Sequence, residues 1–276
     1  MPSSSSSEVT DGWANARNRP LEILSRTVVV VIAVVAIGFG VLSGSAGNTT
    51  AMRYGLLFGL IMILVAALGA TMRTKNGDLS KDTHMVDIDG DRCCTEIRHS
   101  GAQFRLLVAL MTCSAALFLS AMIDTVINGD QPASAITGTL FGAIGLYLVS
   151  FPLAAGFGRI TRGGLLLSEH GVTQRGWSFE NQLSWPDIAG MKPANNGHPI
   201  IMLIGYTNTS WQRRYTSRLW KIDRLPPVPM IEIDCRKFSV EPSALLSFLS
   251  AYVDTPDNRA ELGTPATLDR ARRSAS

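Results

Sequence analysis

Residues 27–42 read TVVVVIAVVAIGFGVL, and they sit inside a run without Asp, Glu, Lys or Arg that extends from Thr27 to Met52. A bilayer core takes roughly 20 mostly apolar residues of helix, so the run is long enough to span. Val and Ile favour strands in water, but a backbone surrounded by lipid must bond to itself, and a helix is what such a segment forms there. Three further runs have the same character: Tyr54–Met72, Leu106–Ile123 and Pro132–Gly158. The expectation is a four-helix transmembrane bundle over residues 27–158, with a charged loop at 73–105. A cleaved signal peptide is the rival for the first run, since Arg26 precedes it and LSGSAG follows it. It fits less well, because the apolar run is long and a 25-residue leader stands before the basic residue.

The whole chain agrees with that reading. Its 276 residues are 46% hydrophobic and only 17% charged, with mean hydropathy +0.18, where a soluble domain has about 25% charged residues. A net charge of +3 is too small and too scattered to point to nucleic acid. Distribution says more. Of the 25 Lys and Arg residues, 24 lie in the N-terminal segment, the central loop and the C-terminal part, and one, Arg53, lies between the first two runs. Basic flanks stay inside, so the expected location is the plasma membrane, with both termini and the loop cytoplasmic and Ser43–Arg53 and Asp124–Ala135 as outside turns. The leader MPSSSSSE opens a segment, 1–26, expected to be a disordered tail.

Gly40 and Gly44, Gly55 and Gly59, and Gly138 and Gly142 each have GxxxG spacing, which lets helix backbones approach closely. Packing within the chain is the favoured use of these faces and homo-oligomerisation the alternative. The centres of the runs hold no ionisable residue, Asp124 falling at an end, which argues against a pump or transporter. Pro152 is placed to kink the fourth helix.

In the loop, Val86 and Ile88, the turn signal DGD and then CTEIR predict a short hairpin able to dock on the C-terminal domain. Asp87, Asp89 and Asp91 imitate the start of a calcium loop, but the twelfth position is Arg98, so no metal is assigned. Cys93, Cys94, Cys113 and Cys235 lack CxxC spacing and read as reduced thiols. No nucleophile–base pattern and no phosphate-cradling glycine loop is present, so neither an enzyme nor a cofactor is expected.

Residues 159–262 read as short strands followed by one helix. In IEID, Ile231 and Ile233 alternate with Glu232 and Asp234 as in a half-buried strand. Glu241 and Pro242 then suit a helix start, and Leu245, Leu246, Leu249, Tyr252 and Val253 recur on one face until Thr255 and Pro256. The segment LLLSEHGVTQRGWSFENQLSWPDIAGMK (165–192) resembles the opening of bacterial pleckstrin-homology-like (PH-like) domains, in a His-Gly turn, an aromatic second strand and a Trp before an Asp-Ile step. WQRRYTSRLWKIDRLPPVPMIEIDC (211–235), the Leu-rich helix and YVDTPDNRAELGT (252–264) resemble the latter half of actinobacterial multi-pass membrane proteins that carry such a domain, a family of unknown function. The resemblance covers Gly163–Leu268. It implies a cytoplasmic, mostly-β PH-like barrel closed by a C-terminal helix, and a binding or assembly module that performs no reaction.

The most distinctive local feature is WQRRYTSRLWKIDR (211–224). Arg213, Arg214, Arg218, Lys221 and Arg224 stand there against Asp223 alone, interleaved with Trp211, Tyr215 and Trp220. These eight aromatic and basic residues are the candidate site. The leading expectation is an adaptor or scaffold that binds a protein partner. The alternatives are contact with anionic lipid, worth about 1 kcal/mol per basic side chain near a leaflet, and an accessory role in an envelope transport system. Residues 263–276, with Arg270, Arg272 and Arg273, are expected to be a disordered basic tail.

Overall fold

The computed structural model describes residues 19–72, 77–88, 92–128, 132–223 and 225–274. They divide into two compact units, one made of 18–71 and 102–160 and the other containing 72–101 and 161–276.

The first unit holds four helices long and apolar enough to cross a membrane: α1 (Arg19–Ser45), α2 (Thr49–Thr71), α4 (Gly101–Asn128) and α5 (Pro132–Gly156). Most of their large side chains face outward, as lipid requires; Val34 and Val35 are each 64% exposed. The connection between α1 and α2 is shorter than the charge pattern implies. The chain turns at Gly47 (φ 86°), and Asn48 caps α2 by accepting from the Ala51 amide at 2.9 Å. Arg53 is therefore a residue of α2 and not of a turn. Residues 19–26, expected as tail, form the first turns of α1.

The glycine pairs lie where helices of this chain meet. A Cβ on Gly55 would stand 2.7 Å from the Gly40 Cα and 2.8 Å from the Ala36 carbonyl oxygen. Only glycine allows this approach, so α1 and α2 form a tight hairpin. In the same way Gly142 meets Met122, Gly145 meets Leu119, and Phe118 meets Phe141 at 6.1 Å between α4 and α5. Asp124 of α4 accepts from the Arg53 guanidinium and from the Tyr54 hydroxyl (2.5 Å), and Gln103 Nε2 donates to the Thr71 carbonyl (3.2 Å). These bonds tie the two ends of α2 to opposite ends of α4.

The second unit is a region of antiparallel sheet. The one-turn helix α3 (Leu79–Asp82) leads into the hairpin β1 (Thr83–Ile88) and β2 (Arg92–Arg98), which pairs as its alternation predicted. After the membrane helices come β3 (Gly164–Ser168), β4 (Gly171–Arg175), β5 (Phe179–Ser184), β6 (Ile188–Asn195), β7 (Pro199–Gly205), β8 (Gln212–Tyr215) and β9 (Met230–Asp234). One sheet has the order β1-β2-β3-β4-β5-β8 and the other β6-β7-β9. The chain passes from the first to the second at the 3-10 turn Trp185–Asp187, where Trp185 Nε1 donates to the Ser168 carbonyl at 2.7 Å.

No backbone ladder closes the two sheets into a barrel among the described residues. Side chains join them instead. Gln174 Nε2 donates to the Glu232 carbonyl (2.6 Å) and Asn181 Nδ2 to the Met230 carbonyl (2.9 Å), satisfying carbonyls on the edge strand β9. Between the sheets lies the core: Ile97, Leu165, Leu167, Val172, Leu183, Ile201, Leu203, Ile231 and Ile233. Helix α6 (Pro242–Val253) starts at the predicted cap and covers that core with Leu245, Phe248, Leu249 and Tyr252.

Most of the segment expected as a disordered tail is helical. Helix α7 (Pro265–Ser274) buries Thr267 and Ala271, and Arg270 reaches back to Glu261 with two bonds of 2.9 and 2.6 Å. Its buried face is made of small residues, so it carries no apolar stripe that a reading of periodicity could detect.

Candidate functional site

Strand β8 lies at one edge of the six-stranded sheet, paired to β5 with Phe179 opposite Tyr215 and Glu180 opposite Arg214. All four of its residues are exposed. Alternation places Gln212 and Arg214 on one face and Arg213 and Tyr215 on the other, so the basic run does not form a single patch.

Trp211 is half-buried against the core, and its indole N–H donates to Asn181 Oδ1. Arg213 stacks on the Trp211 ring, its guanidinium carbon 4.5 Å from the centroid, and donates to the Pro226 carbonyl at 3.0 Å. Arg214 makes a fork to Glu180 at 2.8 and 2.5 Å yet stays 75% exposed. Lys221 lies over the Tyr215 ring at 5.2 Å. Arg218 is exposed and, among the described residues, has no ion pair. Trp220 is half-buried, its amide donating to Ser217 Oγ at 3.1 Å. Arg224 lies outside the described residues, as do Asp89 and Asp91 of the loop.

The segment's one acid is turned away from its bases. Asp223 pairs with Lys237 at 2.6 Å and accepts from the Trp177 amide at 3.4 Å. Asp223 is thus engaged outside the segment, while Glu180 of β5 compensates Arg214 within it. The exposed surface here also carries apolar side chains that the reading for charge did not single out: Leu219 (57% exposed), Val228 (52%) and Ile222.

Sequence reasoning missed a second basic group. Arg98, Arg162 and Arg175 share an open cleft of about 470 Å³ with Arg214, Glu96 and Glu180. Over 60 residues separate Arg98 from Arg162, and only the strand register brings them together. Beneath that cleft His99 is buried, its amide donating to the Gly163 carbonyl at 3.2 Å and its carbonyl accepting from Arg162 Nε. Burial first, then the charge of Lys237, lowers the imidazole from the usual 6.5 to about 3, so it is neutral at physiological pH. Among the described residues no three His, Cys, Asp or Glu side chains gather as a metal site would need.

No protein-family model, no curated protein and no solved structure matches the chain.

Proposed function

We propose that this chain is a multi-pass plasma-membrane adaptor that uses a cytoplasmic PH-like domain to hold a protein partner. The observation that carries the reading is β8: an edge strand, exposed along its whole length, followed by exposed Leu219, Ile222 and Val228. An open edge beside apolar side chains can receive a strand or a loop of another protein, the backbone giving affinity and the side chains selectivity. The Lys and Arg asymmetry supports a cytoplasmic position for the domain.

Purification of the full-length chain from its native membranes in mild detergent, after chemical crosslinking, tests this. A stoichiometric partner crosslinked to residues 212–228, and lost in a Leu219→Asp/Val228→Asp variant that still melts normally, supports the adaptor reading. Equal recovery with the variant, or no partner with the wild type, overturns it. A transport protein as the partner would make the chain an accessory subunit of an envelope transport system.

A second reading, contact with anionic lipid, is favoured by Arg218 and Lys221, which have no carboxylate partner among the described residues. Hydrogen exchange over 211–223 in nanodiscs distinguishes it: slower exchange with phosphatidylglycerol than with phosphatidylcholine alone supports lipid contact, and identical exchange rejects it.

A further inference from the structure

The register of the six-stranded sheet aligns one row of residues across five strands: Arg98 of β2 opposite Gly164 of β3, Gly164 opposite Arg175 of β4, Arg175 opposite Glu180 of β5, and Glu180 opposite Arg214 of β8. Residues directly opposite one another project from the same face of a sheet. The row therefore reads Arg–Gly–Arg–Glu–Arg on one face, with a gap in the side-chain layer at Gly164. The gap is fixed by the fold, since a Cβ there would stand 2.7 Å from the Ile97 carbonyl oxygen.

The guanidinium groups beside the gap are only partly used. Arg98 gives its Nε to Glu96 at 2.7 Å, and Arg175 gives its Nε to Glu180 at a longer 3.4 Å, because Glu180 is held by the fork from Arg214. An Arg has five N–H donors. Among the described residues, the Nη atoms of Arg98 and Arg175 make no hydrogen bond, although both side chains are 42% exposed or more. Arg162, anchored through Nε on the His99 carbonyl, adds a fourth guanidinium to the same cleft, along with Thr161. The cleft thus gathers four guanidinium groups with the carboxylates of Glu96 and Glu180, and Asp82 stands close enough to Arg162 to feel its charge.

We propose that this row is a phosphate-binding site. Arg98 and Arg175 are two strands apart, about 10 Å between backbones, and both line the cleft. Two guanidinium groups lining one cleft match a tetrahedral oxyanion, which accepts paired N–H bonds from each. The ligand is a phosphate group, carried either by the headgroup of an anionic phospholipid or by a soluble phosphate ester. Sequence position favours the headgroup: Arg98 stands three residues before the start of α4 and Arg162 six after the end of α5. The site adjoins the adaptor surface and shares Arg214 and Thr216 with the candidate segment.

The test uses the full-length chain in a phosphate-free maltoside detergent, with two probes. Equilibrium dialysis measures radiolabelled inorganic phosphate, and native mass spectrometry measures retention of phosphatidylglycerol. The wild type should bind one equivalent of at least one probe. Arg98→Gln/Arg175→Gln should weaken that binding at least tenfold, and Lys192→Gln, remote in the other sheet, should leave it unchanged. Arg175→Lys, which keeps the charge and loses the fork, should weaken binding severalfold and guards against misfolding in the double variant. Retention of the lipid alone identifies the headgroup as the source, and binding of phosphate alone identifies a soluble ester. Failure of both probes with the wild type, or equal binding by wild type and double variant, overturns the proposal.

Discussion

His99 places an imidazole between Gly163 and the edge of the Phe238 ring, 4.6 Å from its centroid, and among the described residues its Nδ1 has no hydrogen-bond partner. A buried ring in that setting cannot take a proton without losing hydration, and Lys237 and Arg162 add repulsion that Asp234 only partly offsets. The folded-state pKa of about 3 lies below the unfolded 6.5, so the unfolded chain binds the proton first. The stability that His99 contributes is complete above about pH 6.5 and declines by up to about 1.4 kcal/mol per unit as pH falls towards 3. Four of the five tryptophans, Trp177, Trp185, Trp211 and Trp220, lie in the sheet domain, so their fluorescence reports its melting. Between about pH 7 and 5 the melting temperature should fall, and His99→Phe should flatten that fall. Parallel slopes in the two proteins would show that carboxylates alone carry the acid sensitivity.

At the scale of elements, the β1–β2 hairpin decides what the sheet domain is. Leu79 and Ile97 are fully buried in the common core, four residues of β2 pair with β3, and Thr95 Oγ1 accepts from the Gly263 amide at 2.9 Å. Burying two such side chains contributes roughly 3–6 kcal/mol, a large share of the 5–15 kcal/mol typical of a domain. Residues 159–276 alone should therefore lack a cooperative melt, while the same segment joined through a flexible linker to 77–100 should regain one. A sharp transition in the shorter fragment would refute this dependence. The hairpin itself was legible in the sequence, because alternation and a DGD turn are local signals. So were the strand IEID, the helix after Glu241 and the four apolar runs. The order of the sheet was not: β8 pairs with β5 across 28 residues, and the row from Arg98 to Arg214 exists only through register. For the same reason the candidate segment was found by charge density, while the cleft, whose arginines are scattered along the chain, was not. Helix boundaries failed where a long-range partner extends an element; Arg53 looked like a terminator because Asp124, its partner, is 71 residues away.

At the scale of the whole molecule, sidedness follows from where uncompensated positive charge lies. Arg53 is the lone basic residue between α1 and α2, and it is paired with Asp124. That pairing compensates Arg53, whereas the N-terminal segment, the central loop and the C-terminal part hold the other 24 Lys and Arg. Holding basic flanks on the cytoplasmic side is a bias on Lys and Arg number, and under the proposed plasma-membrane placement a ratio this steep predicts one orientation for all four helices together. Alkaline phosphatase, active only outside the cytoplasm, should be active when fused after Gly129 and inactive when fused after Ser276, with a fluorescent-protein reporter giving the converse. Arg53→Gln should leave the pattern unchanged, since it makes the asymmetry steeper, but should loosen the α2–α4 contact by leaving Asp124 with only the Tyr54 hydroxyl. The informative failure is phosphatase activity at Ser276. It would put the sheet domain outside and make the outer leaflet, in place of the cytoplasmic one, the source of headgroup phosphate for Arg98 and Arg175.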